Sequence, residues 1–295
     1  MYKWRMKKKS YGSENSDKCF YIVRRSSGNT GLFSYVCTNM GQVAYALEEG
    51  FIPIIDMQNN ANIYLHEEEI GVKNAWELFF EQPCGFRLCD ISRSKNIILG
   101  NGIIGDVPYP SMKMIKDEAE LMKWRTLFHG YLQIKDEIVS EIEAKQQELL
   151  AGKRILGVLC RGTDYTNVRP SRHPVQPTLT QIFEKVDEVL ENQKCDIIYL
   201  ATEDEDVYQA FLLRYQEKLV TMQTQRYRNT GATNINEFIV KNSNIYQNSR
   251  DYLVSIALLS RCNCLVAGCT SGTYAVLAMS KGYEYQYVFD LGVYE

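Results

Sequence analysis

The chain has 295 residues, enough for one large domain or two of ordinary size. Apolar residues make up 45% and charged residues 23%, the balance of a globular protein, which excludes a disordered chain. Thirty-three basic against thirty-six acidic side chains leave a formal charge of −3, which excludes the broad positive field of a protein held by nucleic-acid phosphates.

In chain order, a polar and basic start condenses into Cys19–Val23, an apolar run of the kind that forms a buried strand. The small-residue turn Ser26–Gly31 follows, then an amphipathic stretch from Tyr35 to Glu49 that Gly50 is placed to end, then a second strand over Phe51–Ile55. Strand, glycine loop, helix and strand is the pattern of a βαβ unit. Asn96–Leu99, bracketed by Gly100 and Gly102, is expected as a third strand. Residues 115–150 are charged and helical, and with Gly152 they mark the boundary between two halves, 1–150 and 151–295.

The second half predicts strands over Arg154–Cys160, Asp196–Ala201 and Cys264–Ala267. Thr178 and Gln181 form a capping box for a helix with apolar residues at a 3.6-residue period; Thr202 and Glu205 are expected to form a second one. A further apolar helix covers Tyr252–Ser260, and a last one starts near Ser271. Cys262–Ser280 is uncharged, but Asn263, Gly268, Thr270, Ser271, Gly272 and Thr273 in its middle favour strand–turn–helix over a membrane span. Nine cysteines scattered through apolar runs read as free thiols of a reducing compartment, and three histidines make a zinc site improbable. The N-terminus lacks the apolar core of a signal peptide. The expected location is therefore the cytoplasm, or the inner face of a membrane as a peripheral protein without a transmembrane segment.

Ligands of open α/β sheets bind at the carboxyl ends of strands. Three loops offer polar groups there: Arg161–Asp164, Thr202–Asp206 and Gly268–Thr273. In the last, backbone N–H groups of Ser271, Gly272 and Thr273 at a helix start, with hydroxyls of Thr270, Ser271 and Thr273, make an anion site; a plain helix cap explains the same residues. Arg161 ends an apolar strand and needs a partner, either Asp164 or Asp204 or a diphosphate that fits its donor fork. Asp204 and Asp206 match the short Asp-x-Asp pattern of many metal sites, but also the acidic first turn of a helix. Gly268–Gly272 mimics a hydrolase nucleophile elbow, yet its centre is Thr270 and no histidine follows His173, so a triad in that chain order has no base. His173 lies in a proline-bounded loop with Arg169 and Arg172, as a substrate contact or a solvated lid.

Together, Gly157–Tyr165, Ile198–Asp204 and Leu258–Ser271 resemble the fucosyltransferase superfamily in order and spacing over roughly residues 154–280. That superfamily includes core N-glycan, Nod-factor and protein O-fucosyltransferases. The first half resembles it more loosely, through its glycine turn, Ile54–Asp56 and Asn74–Phe80. The resemblance implies an α/β fold of the GT-B kind, two Rossmann-like domains facing a cleft, with 1–150 on the acceptor side and 151–295 binding the nucleotide sugar. It implies an inverting, metal-independent glycosyltransferase without a cofactor. The donor would be GDP-fucose or a related GDP-sugar, and the acceptor a glycan or lipid-linked oligosaccharide, as in surface polysaccharide synthesis. Carried over by position, Arg161 would bind the donor β-phosphate, Thr270, Ser271, Gly272 and Thr273 would surround the phosphates, and Asp204 would be the acid after the middle strand. Asn263 would stand where core fucosyltransferases read guanine.

Asp164 is the first choice for the base that takes the acceptor proton, with Asp204 and His173 behind it. The chain departs from the family pattern with Leu159 in place of a histidine, Gly162 in place of a second arginine, and no acidic residue between Asp164 and Glu184. Two other readings remain: a non-catalytic nucleotide- or sugar-binding protein that kept the fold, and an α/β enzyme using another phosphorylated ligand.

Overall fold

The apolar runs of the sequence form the strands of two separate sheets. The computed structural model describes residues 6–25, 28, 30–162, 169, 171–228 and 244–295, and the chain divides into two compact units, Met1–Ile138 and Val139–Glu295.

The first unit holds β1 (Lys7–Lys9), β2 (Phe20–Val23), α1 (Leu32–Glu48), β3 (Ile52–Ile55), β4 (Ile97–Leu99), α2 (Lys113–Lys116) and α3 (Glu118–Tyr131). Its sheet runs β1-β4-β2-β3, with β2 parallel to both neighbours and β1 antiparallel to β4. Central β2 is apolar and buried throughout, as a strand covered on both faces must be. Helix α1 makes the crossover to β3 and ends at Gly50, whose φ of 76° is the left-handed conformation that glycine adopts without strain.

Strand β3 lies at the sheet edge, where unpaired backbone groups invite association. Side-chain amides close this edge. Gln82 Oε1 accepts from Ile55 N–H (2.9 Å), and Gln82 Nε2 donates to Ile55 C=O (3.0 Å). Asn74 Nδ2 donates to the same carbonyl (2.7 Å), while Asn74 Oδ1 accepts from Met57 N–H (3.1 Å). Both amides are buried.

The second unit begins within α4 (Asp136–Leu149), whose first turn contains the division. This is earlier than the boundary read from Gly152. The body of α4 joins the second unit through an ion pair between Glu141 and Arg250 (2.7 Å) and a hydrogen bond from Arg261 to Gln146. Among the described residues, strands and α-helices of the unit then alternate: β5 (Ile155–Leu159), α5 (Leu179–Gln193), β6 (Ile197–Ala201), α6 (Glu205–Tyr215), β7 (Leu219–Val220), α7 (Ile245–Leu259), β8 (Cys264–Ala267), α8 (Ser271–Met279) and β9 (Tyr285–Val288). The sheet is parallel throughout, in the order β7-β6-β5-β8-β9.

Leu156, Val158, Ile198, Leu200 and Val266 pack on one face against Ile182, Val186 and Phe211 of α5 and α6. On the other face Tyr199 OH meets Ser255 Oγ of α7 at 3.1 Å. A Cβ on Gly157 would lie 3.0 Å from Leu259 Cδ2, so the glycine lets α7 approach the sheet closely. The expected α/β class and the capping box at Thr178 and Gln181 are both present. Strands β1, β7 and β9 were not anticipated from sequence. Among the described residues no helix is long and apolar enough to cross a membrane.

Gln82→Leu removes the partner of a buried N–H and should cost about 1–3 kcal/mol. A lower urea midpoint with an unchanged denaturant slope would register the loss; an unchanged midpoint would show that the amide does not hold the edge.

Candidate functional site

The second unit's first strand, β5, stands at the centre of its sheet, with the second and third strands on one side and the fourth and fifth on the other. The winding therefore reverses between β5 and β8, and ligands of such sheets bind in the crevice outside the carboxyl ends at that point. The register makes the three central strands end level: Leu159 pairs with Ala201 and with Ala267. Cys160 N–H donates to Ala201 C=O (3.1 Å) and Gly268 N–H to Leu159 C=O (3.2 Å). Arg161, Glu203 and the turn at Gly268 thus leave the sheet side by side.

Arg161 is largely covered, and its Nε forms an ion pair with Glu203 Oε1 at 3.0 Å; the same oxygen accepts a hydrogen bond from Gly162 N–H at 3.3 Å. A side chain on Gly162 would overlap the carboxylate of Asp204. Asp204 is buried and caps α6, its Oδ1 accepting from Asp206 N–H (2.8 Å) and Val207 N–H (3.0 Å). The cap of α6 is therefore Asp204, not the expected Thr202 and Glu205 pair, and Thr202 Oγ1 accepts from Asp204 N–H instead (3.1 Å). This explains why the position after Arg161 is glycine: the cap fills the space that a second arginine would need. Asp206 is exposed and lies 3.8 Å from Arg228, and among the described residues no group of three His, Cys, Asp or Glu could hold a metal.

At the β8–α8 turn, Thr270 and Thr273 form a capping box. Thr270 Oγ1 accepts from Thr273 N–H (3.3 Å), and Thr273 Oγ1 donates to Gly268 C=O (2.5 Å). Both threonines are buried, so their side chains shape the turn. The first intrahelical bond is Tyr274 N–H to Thr270 C=O (3.1 Å), which leaves the N–H groups of Ser271 and Gly272 in the first turn ahead of it. No acidic residue lies in this first turn, whereas α6 carries Glu205 and Asp206 in its own. Of these two helix starts, α8 is the one without carboxylates of its own, the composition that an anion-binding helix start requires.

Sequence reasoning missed three residues of this edge. Glu203 is the ion-pair partner of Arg161. Tyr252 of α7 reaches the start of α8, where a Cβ on Gly272 would overlap its hydroxyl. Gln176 donates to Cys269 C=O (2.9 Å) and Pro174 C=O (3.1 Å), while its buried Oε1 has no hydrogen-bond partner among the described residues. No single-residue signal marked Tyr252 or Gln176, because each reaches the turn only through the fold. Burial pushes the Cys160 thiol well up, with Glu203 and Asp204 adding to it, so Cys160 is no thiolate nucleophile.

His173 is exposed, its Nδ1 3.1 Å from Ser171 C=O, on a loop whose backbone pairs with Gly292 and Tyr294 near the C-terminus. Asp164 lies outside the described residues. Asn263 does not stand with the others. It precedes β8, at the amino end of the sheet, about 13 Å of strand away from the crevice. Its amide is used there: Oδ1 accepts from Ile155 N–H (2.9 Å) and Nδ2 donates to Glu284 Oε1 (3.0 Å). The guanine contact implied for Asn263 is therefore corrected to a fastening between β5 and the β8–β9 edge.

No protein-family model and no curated protein matches the sequence. Solved structures do match. One is NodZ alpha-1,6-fucosyltransferase soaked with GDP-fucose, at 14% identity and a TM-score of 0.51, covering 89% of this chain and 93% of that one; NodZ is from Bradyrhizobium. A second is POFUT1 in complex with GDP, at 12% identity and a TM-score of 0.52, covering 92% of this chain and 98% of that one. A third is a mutant of Arabidopsis thaliana FUT1 in complex with GDP, at 10% identity and a TM-score of 0.54, covering 93% of this chain and 71% of that one. The chain has the mixed α/β, GT-B-like fold of these fucosyltransferase structures. At these identities the likeness is one of fold.

Gly162→Ala should displace the Asp204 cap and lower stability by about 1–3 kcal/mol, read as a fall in melting temperature; an unchanged melting temperature would mean that the close approach is not a constraint. Asn263→Asp sets a carboxylate against Glu284 in place of a donor, and a loss of about 1 kcal/mol is expected with no gain in guanine-nucleotide affinity. Calorimetric titration with GDP showing tighter binding would restore the base contact.

Proposed function

We propose that the chain is a glycosyltransferase that moves fucose from GDP-fucose to a glycan or lipid-linked oligosaccharide acceptor, with inversion and without a metal. One observation carries the reading. Arg161, paired with Glu203, and the acid-free start of α8 flank the crevice at the winding reversal. The fold is that of fucosyltransferases whose structures contain GDP or GDP-fucose.

As the bond from the sugar carbon to the β-phosphate oxygen breaks, negative charge gathers on the departing diphosphate. A guanidinium fork and first-turn N–H groups fixed in advance stabilise that charge where it develops. Arg161, Ser271 and Gly272 are the groups assigned this task, with Thr270 and Thr273 shaping the turn around them. The acceptor hydroxyl attacks from the opposite side of the sugar carbon, which inverts it, and gives its proton to a base. Asp164 is the proposed base, two residues beyond Gly162 in the chain. Asp204 is a poorer base, since its Oδ1 already accepts two backbone N–H groups. The missing acid between Asp164 and Glu184 favours a second reading, a binding protein without turnover.

Arg161→Ala should weaken GDP binding about ten- to a hundredfold, the loss of a charge-assisted contact of roughly 1.5–3 kcal/mol, and Arg161→Lys should recover part of it. Unchanged GDP affinity in a folded variant removes the phosphate role. Fucose transfer is expected to persist in EDTA. Abolition by chelator with rescue by Mn²⁺ would overturn metal independence, and GDP-fucose binding without hydrolysis or transfer would establish the second reading.

A further inference from the structure

We propose that Gln176 is a positioning residue for the anion site at the start of α8. Its amide holds the Cys269–Thr270 peptide so that the turn shows no carbonyl oxygen to a bound diphosphate; this role rests on the GDP-sugar reading above.

An anion site at a helix start needs N–H groups facing the ligand and carbonyls turned away from it. In a planar trans peptide the C=O and the following N–H point in opposite directions, so a bond to either one sets both. The turn Gly268–Thr270 has three carbonyls, and each has a donor. Thr270 C=O accepts from Tyr274 N–H (3.1 Å) and Gly268 C=O from Thr273 Oγ1 (2.5 Å), both groups of α8 itself. Cys269 C=O accepts from Gln176 Nε2 (2.9 Å), which lies 93 residues earlier in the chain. On the other side of that peptide, Thr270 N–H donates to Thr273 Oγ1 at 3.2 Å. The Cys269–Thr270 peptide is thus tied at both ends, and one of the two ties comes from outside the helix.

The amide is fixed in its turn. Gln176 is only 6% exposed, and Nε2 also donates to Pro174 C=O at 3.1 Å. Two carbonyls around one amide atom require that atom to be the nitrogen, which leaves Oε1 on the opposite side. There Oε1 is buried without a hydrogen-bond partner among the described residues. Folded proteins keep few such atoms, and an unsatisfied acceptor opposes stability. An orphaned oxygen beside a candidate site therefore points to a role in the site rather than in the fold. Gly268 makes the arrangement possible, since a Cβ there would overlap Oε1.

The segment carrying Gln176 is anchored on both sides. Before it, Arg172 N–H donates to Tyr294 C=O, Tyr294 N–H to His173 C=O and Val175 N–H to Gly292 C=O, each at 2.9 Å. Gln176 N–H itself donates to the Tyr294 hydroxyl at 3.3 Å. After it, Thr178 caps α5. The amide therefore ties the turn to a frame that does not move with α8.

The test uses the intact protein, Gln176→Met and Gln176→Glu. Methionine keeps the length and removes both donors, and GDP affinity by calorimetry should fall about tenfold. Glutamate keeps the shape. Protonated, it donates to one carbonyl; ionised, it donates to none and sets a negative charge beside the diphosphate. Burial raises such a carboxyl, so the affinity of Gln176→Glu relative to the unchanged protein should recover from about pH 8 to about pH 5. A loss of packing alone would leave that ratio flat. In the ligand-free protein, Thr270 N–H should exchange with solvent about tenfold faster in Gln176→Met, with the amides of β8 unchanged. Undiminished GDP affinity in Gln176→Met, a flat ratio for Gln176→Glu, or unchanged exchange at Thr270 overturns the proposal. Should Gln176→Met fail to fold, the ratio for Gln176→Glu decides. If the unchanged protein binds no GDP, the GDP-sugar reading fails, and exchange at Thr270 alone decides whether Gln176 holds the peptide.

Discussion

The candidate site depends on one constraint, the position of β5 as the central strand of an all-parallel sheet. Parallel strands require crossovers, and right-handed crossovers place helices on both faces with their amino ends at the carboxyl edge. Level ending of β5, β6 and β8 then brings Arg161, four acids and the starts of α6 and α8 to a single edge. The acids are not distributed evenly. Asp204, Glu205 and Asp206 occupy the start of α6, and Glu203 faces Arg161, while α8 begins with small residues alone. The field at this edge is therefore polarised by which helix was given its own carboxylates.

Central strands were legible in the sequence because burial on both faces demands unbroken apolar runs, and β5, β6 and β8 have them. Strands β1, β7 and β9 were not. Lys7–Lys9 is exposed, Leu219–Val220 is two half-buried residues, and Tyr285–Val288 is half-buried throughout, so no run marks them. Edge strands obtain their order from a neighbour's backbone rather than from their own side chains.

The same logic divides the site residues. Arg161 and Thr270–Thr273 follow buried runs and could be placed at the correct edge from sequence. Asn263 lies one residue before such a run, and the difference between before and after is the whole height of the sheet. The α6 cap was misplaced by two residues because Thr202, Asp204 and Glu205 all suit a helix start, and only backbone geometry chooses among them.

The first unit solves a different problem, since its long β3–β4 connection has little regular structure. Side-chain amides act as its fasteners: Asn74 and Gln82 on β3, Gln42 on Arg24 C=O at 2.7 Å, and Asn96 on Ser16 C=O and Lys18 C=O at 3.0 and 3.2 Å. Turns held this way are rigid yet thin, and a thin cover leaves part of the sheet face open.

The cysteines give that opening a practical property. Six of the nine thiols are buried and two half-buried; among the described residues Cys89 alone is exposed, and it stands in the β3–β4 connection beside a cleft lined by Leu88, Ile91 and Leu99. A maleimide fluorophore or nitroxide added to the unmodified protein will therefore attach first at Cys89, and the β3–β4 connection can be followed spectroscopically on a chain with no residue changed.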